Sequence, residues 1–345
     1  TGSTAKSLEN YRQAVALNEK LLATEPENID VLQSLSRARA MLGQAILRSG
    51  SLAEAAENYE KAIAAIKTAV EKNPDDLPLT RNLSIYYSYL GYAKMEMGTR
   101  REALDFFRQA LAIEEKVAAT DPDNAKFRAN LAIAELWVGV ALRETNKPEE
   151  AVFYIEKAQA TQQAIFDADR ANFGEQNGLA DCFLDYGITL ARNGKFVAAI
   201  NAFEKAIDNY EAVARADKNN TAVRRQIIFS RRHLADTLAA RGETEKALAI
   251  YERSIPELSA ITASDPENTD YRHDAAVCYL RSGEIYLRKN QRSLAASKFA
   301  AALPILQQLV EASPDYAARR SDLETVKTHL ENLKTADVAR IYKKR

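Results

Sequence analysis

Few side chains in this sequence are able to carry covalent or metal chemistry: three histidines and two cysteines in 345 residues. His233, His273 and His329 form no i, i+4 pair, the spacing that sets two imidazoles on one helix face for zinc. The run from Gly187 to Gly194-Lys195 has the residue types of a phosphate loop but not its spacing. No Ser-His-Asp order and no nucleophile elbow occurs. The expectation is a segment with no catalytic residue, metal or cofactor of its own. What remains is recognition chemistry. Tyr89, Tyr92 and the only tryptophan, Trp137, combine a flat apolar face with a polar edge, which suits interface anchors. Asp185, Arg232 and His233 offer charge.

The composition narrows the partner. The chain is 46% hydrophobic and 28% charged, and its 47 Lys and Arg nearly balance 48 Asp and Glu. That balance gives no bulk attraction for nucleic acid or an anionic membrane. No apolar run approaches the ~20 residues that span a bilayer, so membrane insertion is not expected. The chain opens Thr1-Gly2-Ser3-Thr4, with neither Met nor a visible signal peptide, and reads as a piece of something longer. Cytoplasm and, behind an upstream anchor, periplasm both fit.

The elements that must position these side chains are set by a repeat. Pro26, Pro74, Pro122, Pro266 and Pro314 are separated by 48 residues or multiples of 48. Arg170 and Lys218 fill the two missing places, each after an Asp and two residues before an Asn. Gly50, Gly98, Asn146, Gly194, Gly242 and Asn290 form a second column of period 48. Gly and Asn tolerate the left-handed backbone that ends a helix. Between these punctuations lie stretches of helical periodicity, so each unit is a helical hairpin. Cys182 and Cys278 share one column two repeats apart, roughly 20 Å at ~10 Å per helix. That is too far for a disulfide, so both read as free core residues.

Small residues recur as well. Gly43, Gly91, Gly139, Gly187, Ala235 and Gly283 mark the first helix of each unit, and Ala55, Ala103, Ala151, Ala199, Ala247 and Ala295 the second. Tyr59, Phe107, Ile155, Phe203, Tyr251 and Phe299 follow four residues later, then Ala or Ser after three more. This pattern resembles the tetratricopeptide family, with units longer than its usual ~34 residues and nearer to those of bacterial signalling proteins. The resemblance implies an all-α, right-handed αα-superhelix, a TPR-like solenoid. It is expected to run as a single domain over 1–345: a half-repeat at 4–24, repeats at 27–74, 75–122, 123–170, 171–218, 219–266 and 267–314, and a capping helix at 317–340. Glu331 in the glycine column and the charged tail Lys343, Lys344 and Arg345 suit such a cap.

The family lines its concave groove with the first helix of each unit. The resemblance therefore implies a scaffold, expected as a monomer, that takes a protein or peptide along Ile85, Tyr89, Tyr92, Leu136 and Trp137. Farther along, the same surface turns polar, with Asp185 expected opposite Arg232, and His233 beside it. Arg224, Arg225 and Arg231 offer an acidic segment a landing place. The family's carboxylate clamp is missing, since its first Asn column holds Gln44, Tyr92, Val140, Ile188, Asp236 and Glu284. Replacing Trp137 and Tyr89 with alanine is expected to abolish binding while barely moving the melting temperature. Two other roles fit the resemblance: the C-terminal regulatory or sensor region of a bacterial signalling enzyme such as a Ser/Thr protein kinase, or a structural self-assembly module.

Overall fold

A computed structural model describes residues 4–49, 51–218, 220–264 and 268–343, with side chains over 6–47, 51–218, 220–264 and 268–335. Gly50, Pro266, Lys344 and Arg345 lie outside the described residues, and the side chain of Lys343 outside the described side chains.

Every repeat corner is built by local hydrogen bonding. The Asn of the corner caps the next helix: Asn124 Oδ1 accepts from the backbone N–H groups of Lys126 and Phe127 at 3.1 and 3.3 Å. Asp76, Asn220 and Asn268 do the same for their helices. This explains why the column keeps Asn after losing its proline, since the cap satisfies N–H groups that have no carbonyl partner within the helix. Asn124→Ala is expected to cost about 0.5–2 kcal/mol in a denaturant melt. At the inner turn, Gly98 takes φ 91°, and Asn146 and Asn290 take 62° and 57°. Gly98 N–H then donates to Met95 O and Thr99 N–H to Lys94 O, which closes the helix end.

Fourteen helices result, and no strand occurs among the described residues. They are α1 (Thr4–Thr24), α2 (Ile29–Ser49), α3 (Leu52–Lys72), α4 (Leu77–Met97), α5 (Arg100–Thr120), α6 (Ala125–Glu144) and α7 (Pro148–Ala168). There follow α8 (Phe173–Arg192), α9 (Phe196–Ala216), α10 (Thr221–Ala240), α11 (Thr244–Ser264), α12 (Thr269–Arg288), α13 (Arg292–Ala312) and α14 (Ala317–Lys343). Six hairpins, from α2/α3 to α12/α13, stand between a lone second-type helix, α1, and a lone first-type helix, α14. The chain divides into two compact units, Thr1–Asp185 and Tyr186–Arg345.

In unit 1 the core runs through Ile46, Tyr59, Ile66, Leu79 and Leu90, and onward through Phe107, Val138 and Ala151. In unit 2 it runs through Tyr251, Leu258, Ile285, Phe299 and Leu306. The glycine column makes this packing possible. A Cβ at Gly91 would come within 2.9 Å of Phe107 Cε1, and at Gly43 within 2.6 Å of Tyr59 Cε1. Gly43, Gly91, Gly187 and Gly283 are the spaces that a fully buried ring of the next helix occupies, and Gly139 makes the same space for Ile155. Among the described residues α13 alone has the length and hydropathy of a membrane-crossing helix; its Phe299 and Leu306 are buried in the unit 2 core, and Leu309 is buried as well.

Candidate functional site

Two residues before Gly91, Gly139, Ala235 and Glu331 of the column stands a ring that leans back onto the previous repeat. Tyr89 lies on Tyr59 with ring centroids 5.5 Å apart, and Trp137 stacks on Phe107 at 5.3 Å and 8°. In unit 2, His233 stacks on Phe203 at 6.0 Å and His329 on Phe299 at 4.7 Å. These rings cement one repeat to the next. The same column holds Met41, Asp185 and Arg281, which bring no ring. Sequence reading missed this role, although the column of Tyr89, Trp137, His233 and His329 at multiples of 48 is its signal.

In unit 1 the first helices α2, α4 and α6 line a cavity of about 450 Å³. Ile85 and Ile133 stand exposed on its rim at equivalent positions, and Tyr89, Tyr92 and Trp137 form its wall. Tyr92 meets Trp137 edge to face at 5.9 Å. Residues four apart on α4 (Ile85, Tyr89) and on α6 (Ile133, Trp137) share one face, which is how two helices present one continuous surface. The floor is polar. Arg81, Ser84, Glu114 and Asn130 line it, and Arg81 also lies over the Phe127 ring at 5.6 Å. Glu114, on α5, is only 4% exposed and forms no ion pair among the described residues. Burial holds its carboxyl above the usual glutamate range, against the smaller pulls of the Ser84 hydroxyl and the Arg81 charge. By contrast Glu135, equally buried, has Lys157 Nζ at 2.7 Å.

Of the eight residues singled out by sequence, Ile85, Tyr89, Tyr92 and Trp137 are brought together here. Leu136 is not. It is buried, because it lies about 100° round α6 from Trp137 and faces the packed side of the helix. Asp185 and Arg232, expected as a pair, fall in different units, and each has a partner within its own. Asp185 Oδ1 accepts from Arg143 Nη1 at 2.8 Å, and Arg232 donates to Asp236 at 3.4 Å while lying over the Phe229 ring. His233 sits between Phe203 and Phe229. Trp137 and Tyr89 are also partly core, so their joint replacement cannot leave the melting temperature untouched.

The arginine cluster of α10 is largely committed. Arg225 reaches Asp274 at 2.7 Å, and Arg231 bridges Glu211 and Glu257 at 2.9 and 3.1 Å. Arg224 is exposed and lines a second cavity of about 510 Å³, walled by Ile227, Ile228 and Ile261 within unit 2. Both cysteines are free and buried; burial pushes the Cys278 thiol up to about 12 and that of Cys182 higher still. Neither is a nucleophile in that state. Among the described residues no group of three metal-ligating side chains forms.

Residues 1–76 match a family model described as tetratricopeptide repeat, and residues 181–320 match one described as bacterial transcriptional activator domain. No curated protein matches the sequence. Among solved structures the chain is similar to BtubC (BKLC) from P. vanneervenii, with 17% identity over 76% of this chain and 92% of that one, and a TM-score of 0.51. It is likewise similar to a Rap protein complexed with Competence and Sporulation Factor, with 15% identity over 95% of this chain and 87% of that one, and a TM-score of 0.51. At such identities the likeness speaks for the fold. Together with the 48-residue period and the glycine-to-ring packing, these matches show a tetratricopeptide-type helical-repeat fold, with the family model itself covering residues 1–76.

Proposed function

We propose that this chain is a protein-interaction scaffold whose unit 1 groove takes a peptide segment. The observation that carries the reading is the cavity itself: an aromatic wall and two exposed isoleucines over a polar floor, on adjacent first helices. An apolar pocket with a few convergent polar groups is the usual form of a recognition site. The same fold carries a factor in the Rap protein complex, which fits this reading.

Trp137 is the only tryptophan, so its fluorescence reports on the groove alone. Peptides selected from a random linear library on the full chain are expected to shift that emission. Ile85→Asp with Ile133→Asp is expected to abolish their binding and to leave the melting free energy within about 0.5 kcal/mol, both side chains being exposed. Retained binding in that double variant would sink the groove reading.

The transcriptional-activator match over 181–320 favours a second reading, in which unit 2 serves a transcription regulator. The full chain, tethered upstream of a reporter promoter in bacteria, should then raise expression. A silent reporter would count against it.

A further inference from the structure

Three polar atoms in the floor of the unit 1 groove have no hydrogen-bond partner among the described residues: Arg81 Nε, Glu114 Oε2 and Asn130 Nδ2. All three residues line the cavity. Glu114 is the most informative, because the repeat supplies its own control. Of the six equivalent positions three hold Ile66, Leu258 and Leu306, each fully buried, and the others hold Asn18, Gln162 and Tyr210. An aliphatic side chain therefore satisfies this environment in three other repeats. A carboxyl in the same place loses its hydration, and beyond the Ser84 hydroxyl and the Arg81 charge it gains nothing that meets Oε2. Folding gives no reason for it, and a ligand does.

The chemistry of the three atoms defines that ligand. Arg81 Nε–H and Asn130 Nδ2–H donate, and Glu114 Oε2 accepts. A ligand carboxylate would gain Arg81 but be pressed against Glu114. An ammonium would gain Glu114 but oppose Arg81. A carboxamide has an oxygen with two lone pairs and an NH2 group on the same carbon, so it answers two donors and one acceptor with no net charge. A backbone amide turns its N–H and C=O in opposite directions, which leaves one of them facing away from the floor.

Resting on the groove reading above, we propose that the bound segment is anchored by an Asn or Gln side chain. Its carboxamide is seated on Arg81, Glu114 and Asn130, with neighbouring apolar side chains against Ile85, Tyr89 and Trp137. The anchor is a side-chain amide, so uncharged segments are selected over acidic or basic ones.

The test uses the full chain and peptides from the random linear library. Those whose binding depends on Ile85 and Ile133 are expected to share one Asn or Gln. Its replacement by Glu, Asp or Lys in synthetic copies should weaken binding about tenfold or more, the loss expected when a buried hydrogen-bonding group goes unmet. Selection on Glu114→Leu should return groove binders without that amide, and on Glu114→Gln binders that keep it. Groove-dependent peptides with no shared amide, or with a shared charge in its place, would overturn the carboxamide and leave the groove reading standing. Peptides indifferent to the Ile85 and Ile133 substitutions, or no peptides at all, would overturn both.

Discussion

Glu114→Leu is expected to make the protein more stable and to remove its amide-selective binding in the same step. Leucine is what repeats five and six place at this position, at Leu258 and Leu306, so the surrounding helices already accommodate it. The gain should be about 1–4 kcal/mol at neutral pH, the range seen when buried charged groups give way to packed aliphatic ones. The pH dependence has a definite sign. Burial raises the Glu114 pKa above its ordinary 4.5, so ionising the carboxyl costs more in the folded state than in the unfolded one. The destabilisation it causes is therefore absent below the unfolded value and grows as pH rises through that value towards the folded one. Denaturant melts of wild type, Glu114→Leu and Glu114→Gln should diverge most at about pH 7 and converge towards about pH 4. A leucine variant less stable than wild type at neutral pH would mean that the carboxyl serves the fold.

That experiment turns on a position the sequence displayed without explaining. The period, the caps and the glycine-to-aromatic pairing could be read directly, because each depends on residue types that recur wherever the backbone needs them. Pro74, Asn124 and Gly98 are local signals, and local geometry decides them. The groove was half legible. Ile85, Tyr89, Tyr92 and Trp137 could be placed by counting round a helix from the glycine column. Leu136 could not, because a shift of one residue turns a side chain from rim to core and composition does not mark the difference. The polar floor escaped notice for another reason. Glu114 comes from a second helix, α5, and its meeting with Arg81 and Asn130 depends on how α5 packs against α4 of its own repeat and α6 of the next. Its signal was present as the single carboxylate in a column otherwise filled by Asn18, Ile66, Gln162, Tyr210, Leu258 and Leu306. Charge partners were the least legible, since Arg143 reaches Asp185 from 42 residues away and no periodicity announces it.

Phe107→Ala is expected to have the largest cost of any single change in unit 1, about 3–5 kcal/mol. The ring is fully buried, with Gly91 against one part of it and the Trp137 indole stacked parallel at 5.3 Å. Its removal leaves a cavity under the groove and takes about 0.5–1.5 kcal/mol of aromatic contact from Trp137. The groove wall then loses its support, so peptide affinity should fall together with stability, and Trp137 emission should move towards that of a solvated indole. A double-mutant cycle with Gly91→Ala separates packing from general damage. In the wild-type background the new methyl would sit 2.9 Å from the ring edge, and the change should cost about 1–3 kcal/mol. With Phe107 already removed, the methyl meets a void, and the same change should be neutral or favourable by up to about 1 kcal/mol, as alanine is in a helix interior. A coupling of about 1 kcal/mol or more in denaturant melts is therefore expected. Additive effects would show that Gly91 and Phe107 are not the matched pair that sets the distance between α4 and α5, and the glycine column would need another explanation.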